Sequence, residues 1–326
     1  NGVVPLNQNQ EFDLAVKLKE GNLNLLSLVV EDLKSIHGRG QADLKLEGTW
    51  GNINLQGQAE LDAAGFAHPA FDRKVKELTG KFNFTGDKII VDDLRGKYGQ
   101  GTVEADGSIL LTGLLPQTYN LQVIGTDIAF KHGSWQGLND VQLEIKGGFY
   151  DPLIKGQIIA HDTMFELPAK WPTPDEELKI QPHFDLVIKP KQNVKVGNEN
   201  IDILVQEGEL ELSTTEQDQI ELTGNLASTT GRFTYYNTEF ELVKGAAQFT
   251  KYSFVPQLDI RARTNLPDEA GEMKEIYLDI QGTGKDIAAD PWQLSFSSQP
   301  PMTRREIIDL LTQQGGIGSL LEKDYD

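Results

Sequence analysis

Cysteine is absent from all 326 residues, which excludes disulfides, thiolate metal centres and a cysteine nucleophile. Positive charge is scarce: 30 Lys and Arg stand against 49 Asp and Glu, a net charge of −19. Nucleic-acid binding draws on counterion release at a basic face, so a chain this acidic is not read as a nucleic-acid partner. Long apolar runs are missing as well. Stretches such as Leu28-Val29-Val30 and Ile158-Ile159-Ala160 fall far short of the roughly 20 residues that a membrane-spanning helix needs. The chain opens on Asn1-Gly2 rather than Met and is read as an excised part of a longer protein.

Recognisable catalytic chemistry is also missing. There is no His-Glu-x-x-His, no Gly-x-Ser-x-Gly and no Walker loop. The five histidines (His37, His68, His132, His161, His183) lie far apart, and His161-Asp162 reads as a solvated pair at a strand end. Gly96-x-x-Gly99-x-Gly101 precedes an alternating segment, so no helix N-terminus follows it to hold an anion. Asp92-Asp93 and Asp175-Glu176-Glu177 lack the ligand periodicity of a calcium loop and read as solvated charge. The expectation is a protein that is not an enzyme, with no catalytic residue, no metal and no cofactor.

What the sequence does have is period-2 alternation. Ala42-Asp43-Leu44-Lys45-Leu46-Glu47 sets apolar against charged positions, and Ile53 and Leu55 continue the pattern against Asn54 and Gln56. Successive side chains point to opposite faces of a strand, so each such segment has a dry face and a wet one. The same pattern gives Phe82 and Phe84, Val103 and Ile109, Leu121 and Val123, Leu143 and Ile145, then Ile158. It continues through Leu186 and Ile188, Leu210 and Leu212, Leu222, Phe233 and Tyr235, and Leu242. Leu258 and Ile260, Leu278 and Ile280, and Leu294 and Phe296 complete it. The fold class is all-β.

Asp106-Gly107 could be a two-residue hairpin, but Val103, Ala105, Ile109 and Leu111 share a face only if the strand runs straight through. A continuous strand is the better reading. Helical spacing occurs twice. Leu26, Val29, Val30, Leu33 and Ile36 predict a short amphipathic helix near 23–36, ended by Gly38. Thr303 and Glu306 have capping-box spacing ahead of Ile307-Ile308-Asp309-Leu310-Leu311, with Gly315-Gly316 as the stop. The organisation is then a first sheet segment over 1–167, a Pro-rich acidic loop over 168–182, a second sheet segment over 183–298, and a capped helix with a polar tail over 299–326.

Some twenty strands with one apolar face each can close as two packed sheets or as one long curled trough. Glycines inside strands and the lack of a helical second layer favour the trough, with a body of order 100 Å at about 4.8 Å per strand. Such a dry floor suits acyl chains. Two chains hold about 30 methylenes at about 0.8 kcal/mol each, so freeing a lipid into water costs of order 25 kcal/mol, most of which an apolar trough removes. A core sealed by its own side chains explains the same periodicity equally well.

Ser228-Thr229-Thr230-Gly231-Arg232-Phe233-Thr234-Tyr235-Tyr236, followed by Phe240-Glu241-Leu242-Val243-Lys244-Gly245, resembles the C-terminal domain of TamB, one of the AsmA-like envelope proteins. Pro256-Gln257-Leu258-Asp259-Ile260-Arg261-Ala262, Ser297-Ser298-Gln299-Pro300-Pro301-Met302-Thr303 and the capped helix are similar to that family too. The resemblance is specific over about 225–312. It implies a β-taco with a lipid-compatible interior: the apolar positions above would be its lipid groove, and phospholipid its cargo. It also implies a place in the periplasm of a two-membrane bacterium, an inner-membrane anchor outside this fragment, and an outer-membrane barrel of the Omp85 type as partner. Lipid transport and help in outer-membrane protein assembly both follow as implied roles. A scaffold that carries no lipid is the alternative, and a carbohydrate-active β-protein with paired carboxylates a distant third.

Overall fold

The computed structural model describes residues 2–3, 11–23, 34–49, 52–67, 73–132, 135–166, 181–235, 237–251, 253–283 and 294–314. The protein is all-β: the described residues form twenty strands joined in one hydrogen-bonded sheet, with one short helix. In chain order the first are β1 (Gly2–Val3), β2 (Phe12–Asn22), β3 (Lys34–Thr49), β4 (Asn52–Ala67), β5 (Val75–Gly86), β6 (Lys88–Tyr98) and β7 (Gly101–Thr112). There follow β8 (Leu115–His132), β9 (Trp135–Gly148), β10 (Pro152–Glu166), β11 (His183–Pro190), β12 (Val194–Asn198), β13 (Ile201–Val205) and β14 (Glu207–Thr214). The last are β15 (Ile220–Ser228), β16 (Thr230–Tyr235), β17 (Thr238–Thr250), β18 (Ser253–Pro267), β19 (Met273–Thr283), β20 (Leu294–Gln299) and the helix α1 (Arg304–Gln314).

Two compact units divide the chain. Unit 1 comprises Asn1–Lys131, Leu138–Ile159 and Asp175–Leu186; unit 2 comprises His132–Gly137, Ala160–Pro174 and Val187–Asp326. The helix expected near 23–36 lies mostly outside the described residues, but Lys34, Ser35 and Ile36 already belong to β3. Ile36 packs against the buried group Leu23, Ala64, Val75 and Leu78, so its apolar side serves a strand there, not a helical turn. The Pro-rich loop lies outside the described residues except for Gln181 and Pro182.

In unit 1, β2 to β8 form an antiparallel meander in which each strand pairs with the next. Two devices bend it. The first is glycine at mid-strand. Gly57 (φ +127°) and Gly107 (φ +142°) lie so close to the adjoining strand that a Cβ would meet Asp43 O at 2.0 Å and Asn120 O at 2.1 Å. β7 therefore runs straight through Asp106-Gly107, with Gly107 opposite Val91 and Leu121. Gly107→Ala is expected to destabilise unit 1 by about 3 kcal/mol, backbone strain and overpacking together. A thermal melt showing less than 1 kcal/mol would mean that the sheet is not creased there.

The second device is an extra residue in the left-handed conformation. Glu20, Ala63, Glu77 and Asp93 have φ between 48° and 53° and coincide with shifts of register in β2, β4, β5 and β6. Each inserts one residue on the outer side, so the apolar side chains before and after it stay on the same face. Asp93 is well suited, since Asp tolerates this conformation, and its amide donates to Asp106 Oδ1 at 2.7 Å.

Unit 2 is held by two clusters. Ala160, Val194 and Val205 are buried with Trp135, Val196 and Leu226 around them. The larger contains Phe240, Ala262, Ile276, Leu278, Ile280 and Leu294 from the sheet, together with Ile307, Leu310 and Leu311 from α1.

Candidate functional site: the apolar face of the sheet

Cross-strand partners share a face, so the register carries the apolar side from strand to strand. In unit 1 one row reads Val16, Leu44, Gly57, Phe84, Ile89, Ile109, Tyr119 across β2 to β8. The next reads Leu18, Ala42, Ala59, Phe82, Val91, Gly107, Leu121. Shorter rows join Leu46 to Leu55, Leu94 to Ala105 and Val123, and Gly96 to Val103. Six strand spacings of about 4.8 Å make each long row about 29 Å, more than the hydrocarbon depth of one leaflet, about 15 Å. An acyl chain laid across the strands fits within it.

Burial separates the two units. In unit 1 Leu44, Leu46, Phe82, Phe84, Val103, Ile109, Leu121, Val123, Leu143, Ile145 and Ile158 are partly exposed, and only Ile53, Leu55 and Leu186 among the expected positions are buried. Among the described residues the long rows are thus mostly half-exposed, Val91 apart, and not sealed as a core. In unit 2 Ile188, Leu210, Leu242, Leu278, Ile280 and Leu294 are buried, while Leu212, Leu222, Phe233, Tyr235, Leu258, Ile260 and Phe296 are partly exposed. In the row Leu242, Ala262, Leu278, Phe296 the last three lie in the cluster closed by α1, so at that end the face is a sealed core.

Sequence reasoning missed β6 and β2. Ile89 and Val91 share the apolar face, but the extra residue at Asp93 pushes the next apolar position to Leu94 and hides the alternation. Leu14, Val16 and Leu18 alternate openly in the sequence and were detectable.

The opposite face is charged and paired. Lys17 meets Asp43 at 3.0 Å, Lys155 meets Asp185 at 2.7 Å, Lys189 meets Glu209 at 2.8 Å, and Arg261 grips Asp279 through two bonds of 2.6 and 3.0 Å. The Asp279 hydrogen bond raises the Arg261 pKa, and the Lys244 bond to Asp259 holds that carboxyl below its usual range. Exposed pairs of this kind contribute little each, but they keep the face wet. Gly96 to Gly101 is the β6–β7 hairpin, with Tyr98 opposite Gly101.

In unit 2 Ser228 Oγ donates to Leu204 O at 2.6 Å and accepts the Thr230 amide at 3.0 Å. Gln206 Oε1 accepts from the Thr229 amide at 2.7 Å. These bonds pin the step from β15 to β16, two strands that pair with successive parts of β17. Arg232 then reaches Glu239 at 3.4 Å, and Phe233 faces Phe240. The pinned residues are those of the Ser-Thr-Thr-Gly-Arg-Phe segment.

That segment falls inside the match to a known family model, the TamB C-terminal domain, over residues 162–324, half of the chain. The chain belongs to the TamB family. Comparison with curated proteins gave no match. TamB proteins work in assembly of the cell envelope, and membership makes this an envelope protein. Among the described residues no helix is long and apolar enough to cross a membrane.

The TamB match extends over α1, whose start is built as the sequence predicts. Thr303 N and Oγ1 both donate to Glu306 Oε2 at 2.7 Å, and the Glu306 amide donates back to Thr303 Oγ1 at 3.3 Å. The Thr303 amide bond is the main cause of a lowered Glu306 pKa. Thr303→Ala is expected to cost about 1 kcal/mol in a thermal melt. Because the Glu306 pKa is depressed in the folded state, its contribution is present above the unfolded value of 4.5 and lost as pH falls through the folded one. Glu306→Gln should therefore flatten the acid side of the stability profile; an unchanged profile would remove the cap from the account.

Proposed function

We propose that this TamB protein is a non-enzymatic part of an envelope bridge that carries phospholipid acyl chains along its apolar face. The bridge would run between the inner and outer membranes of a diderm bacterium and serve outer-membrane biogenesis. The observation that supports this reading is the mostly half-exposed apolar face of unit 1, unbroken across seven strands. A protein with no lipid to carry gains nothing from leaving Phe82, Phe84 and Leu121 wetted when a few further residues could bury them, at about 25 cal/mol per Å². No polar contact need recognise the cargo, because transfer from water to the face supplies the driving force.

Lipid mass spectrometry on the purified chain tests this. Phospholipid should co-purify, and detergent exchange should strip it without unfolding the protein. A chain that purifies free of lipid and takes none from vesicles would refute the reading.

The sealed face under α1 favours a second reading for unit 2 alone. A closed core with a charged exterior suits a docking module, and the partner would be an outer-membrane barrel of the Omp85 type during barrel assembly. The inner membrane would be reached through an anchor of the full-length protein.

A further inference from the structure

We infer that the turns β7–β8 and β9–β10 form an apolar tip at which unit 1 meets a zwitterionic bilayer surface and passes acyl chains onto its rows. The inference rests on the proposed lipid-carrying role and names where the cargo enters. The β7–β8 turn is Gly113-Leu114, with Leu115 opening β8, and the β9–β10 turn is Phe149-Tyr150-Asp151. Leu115 and Tyr150, 70% and 68% exposed, are the most open large apolar side chains among the described residues, and Leu114 and Leu153 are exposed with them. Other turns keep the ordinary polar chemistry: Asp87 in β5–β6, Glu216-Gln217-Asp218 in β14–β15, Asp268-Glu269 in β18–β19. The two apolar turns lie against each other. The Phe149 amide donates to Gln117 O at 2.9 Å, and the Phe149 ring stacks on Tyr119 at 5.4 Å and meets Tyr150 edge-on at 5.1 Å. Tyr119 is the β8 member of a long row and faces Ile109, so Tyr150, Phe149, Tyr119 and Ile109 lead from the tip onto the apolar face.

The chemistry of the tip selects its partner. Residues 113–118 and 147–153 hold no Lys or Arg and one acid, Asp151, so nothing there pairs with an anionic headgroup. A chain of net charge −19 is also repelled by anionic lipid, which leaves a zwitterionic surface. Backbone polar groups among acyl chains must already be bonded. At the tip the Phe149 amide is bonded to Gln117 O, Tyr150 O accepts the Gln181 amide at 2.8 Å, and Pro116 and Pro152 have no amide hydrogen. Tyr150 beside Leu114 and Leu115 adds the amphipathic ring that settles at headgroup level, with aliphatic side chains to reach below it.

The test is flotation of the full chain with phosphatidylcholine vesicles, with and without phosphatidylglycerol, paired with photo-crosslinking to lipid from position 121. The chain should float with phosphatidylcholine alone, equally at low and high salt, and phosphatidylglycerol should not strengthen it. Leu115→Ser combined with Tyr150→Ser should cut flotation and vesicle-fed crosslinking about tenfold, while lipid supplied in detergent micelles still labels position 121. Ile124→Ser is the control: Ile124 is 52% exposed on the wet face, opposite Glu104, and its loss should change neither readout. Flotation and vesicle-fed crosslinking unchanged in the double variant, or binding that requires phosphatidylglycerol and vanishes in salt, overturns the tip; label at position 121 then leaves the lipid-carrying role standing. No label from either source refutes both. Amide hydrogen exchange on the unsubstituted chain gives a second reading. Vesicles should slow exchange over 113–118 and 148–151 about tenfold, and no slowing there overturns the inference even where the double variant fails to fold.

Discussion

Leu278→Asp is expected to abolish the cooperative melting of unit 2. Leu278 is fully buried, with Ala262 and Phe296 as its cross-strand partners and α1 packed on the same cluster. A carboxylate there loses its hydration and finds no cation among the residues of its cluster, a cost of several kcal/mol against a total stability of about 5–15 kcal/mol. Arg263→Ala, across the same sheet, is the control. Its ion pair with Glu275 at 3.3 Å is exposed on the arginine side, and its loss should change stability by less than about 1 kcal/mol. Calorimetry reads both. Two melts of equal midpoint would mean that α1 does not seal the face.

Leu143→Asp and Val123→Asp are expected to do the opposite: leave the fold standing and stop lipid. Both side chains are partly exposed, so the new carboxylate can keep water around it. The destabilisation should stay near 1–2 kcal/mol. An acyl chain lying beside that carboxylate would have to strip its water, costing several kcal/mol, so lipid recovered with the variant should fall by about a hundredfold. Lipid content by mass spectrometry, with a thermal melt of each variant, checks this. Variants that unfold as Leu278→Asp does would show that the unit 1 face is a core like that of unit 2.

The contrast between these two results was only half legible in the sequence. Period 2 fixes which side chains share a face, and it named Leu44, Phe82, Val123 and Leu278 alike. It carries no record of what lies over that face. The seal over Leu278 comes from a helix nearly thirty residues further on, and nothing in the spacing of Ile307, Leu310 and Leu311 says which strands they cover. The bends were legible unevenly. Gly57 and Gly107 are visible because only glycine tolerates the approach of a neighbouring carbonyl. Glu77 and Asp93 are not, because a charged residue on the wet side looks the same whether or not it adds one residue to the strand. That added residue is also why β6 escaped the alternation. The carboxy-terminal cap was readable since Thr303 and Glu306 act locally, three residues apart.

Paired photo-crosslinking across the sheet tests the central claim most directly. A photo-reactive residue replaces Leu121 or Leu143 on the apolar face and, in separate chains, Gln122 or Glu144 on the wet face, where these two are bonded to each other at 2.8 Å. The protein is then irradiated in the presence of labelled phospholipid vesicles. The account predicts strong lipid adducts from Leu121 and Leu143 and background from Gln122 and Glu144; equal labelling from both faces would contradict it.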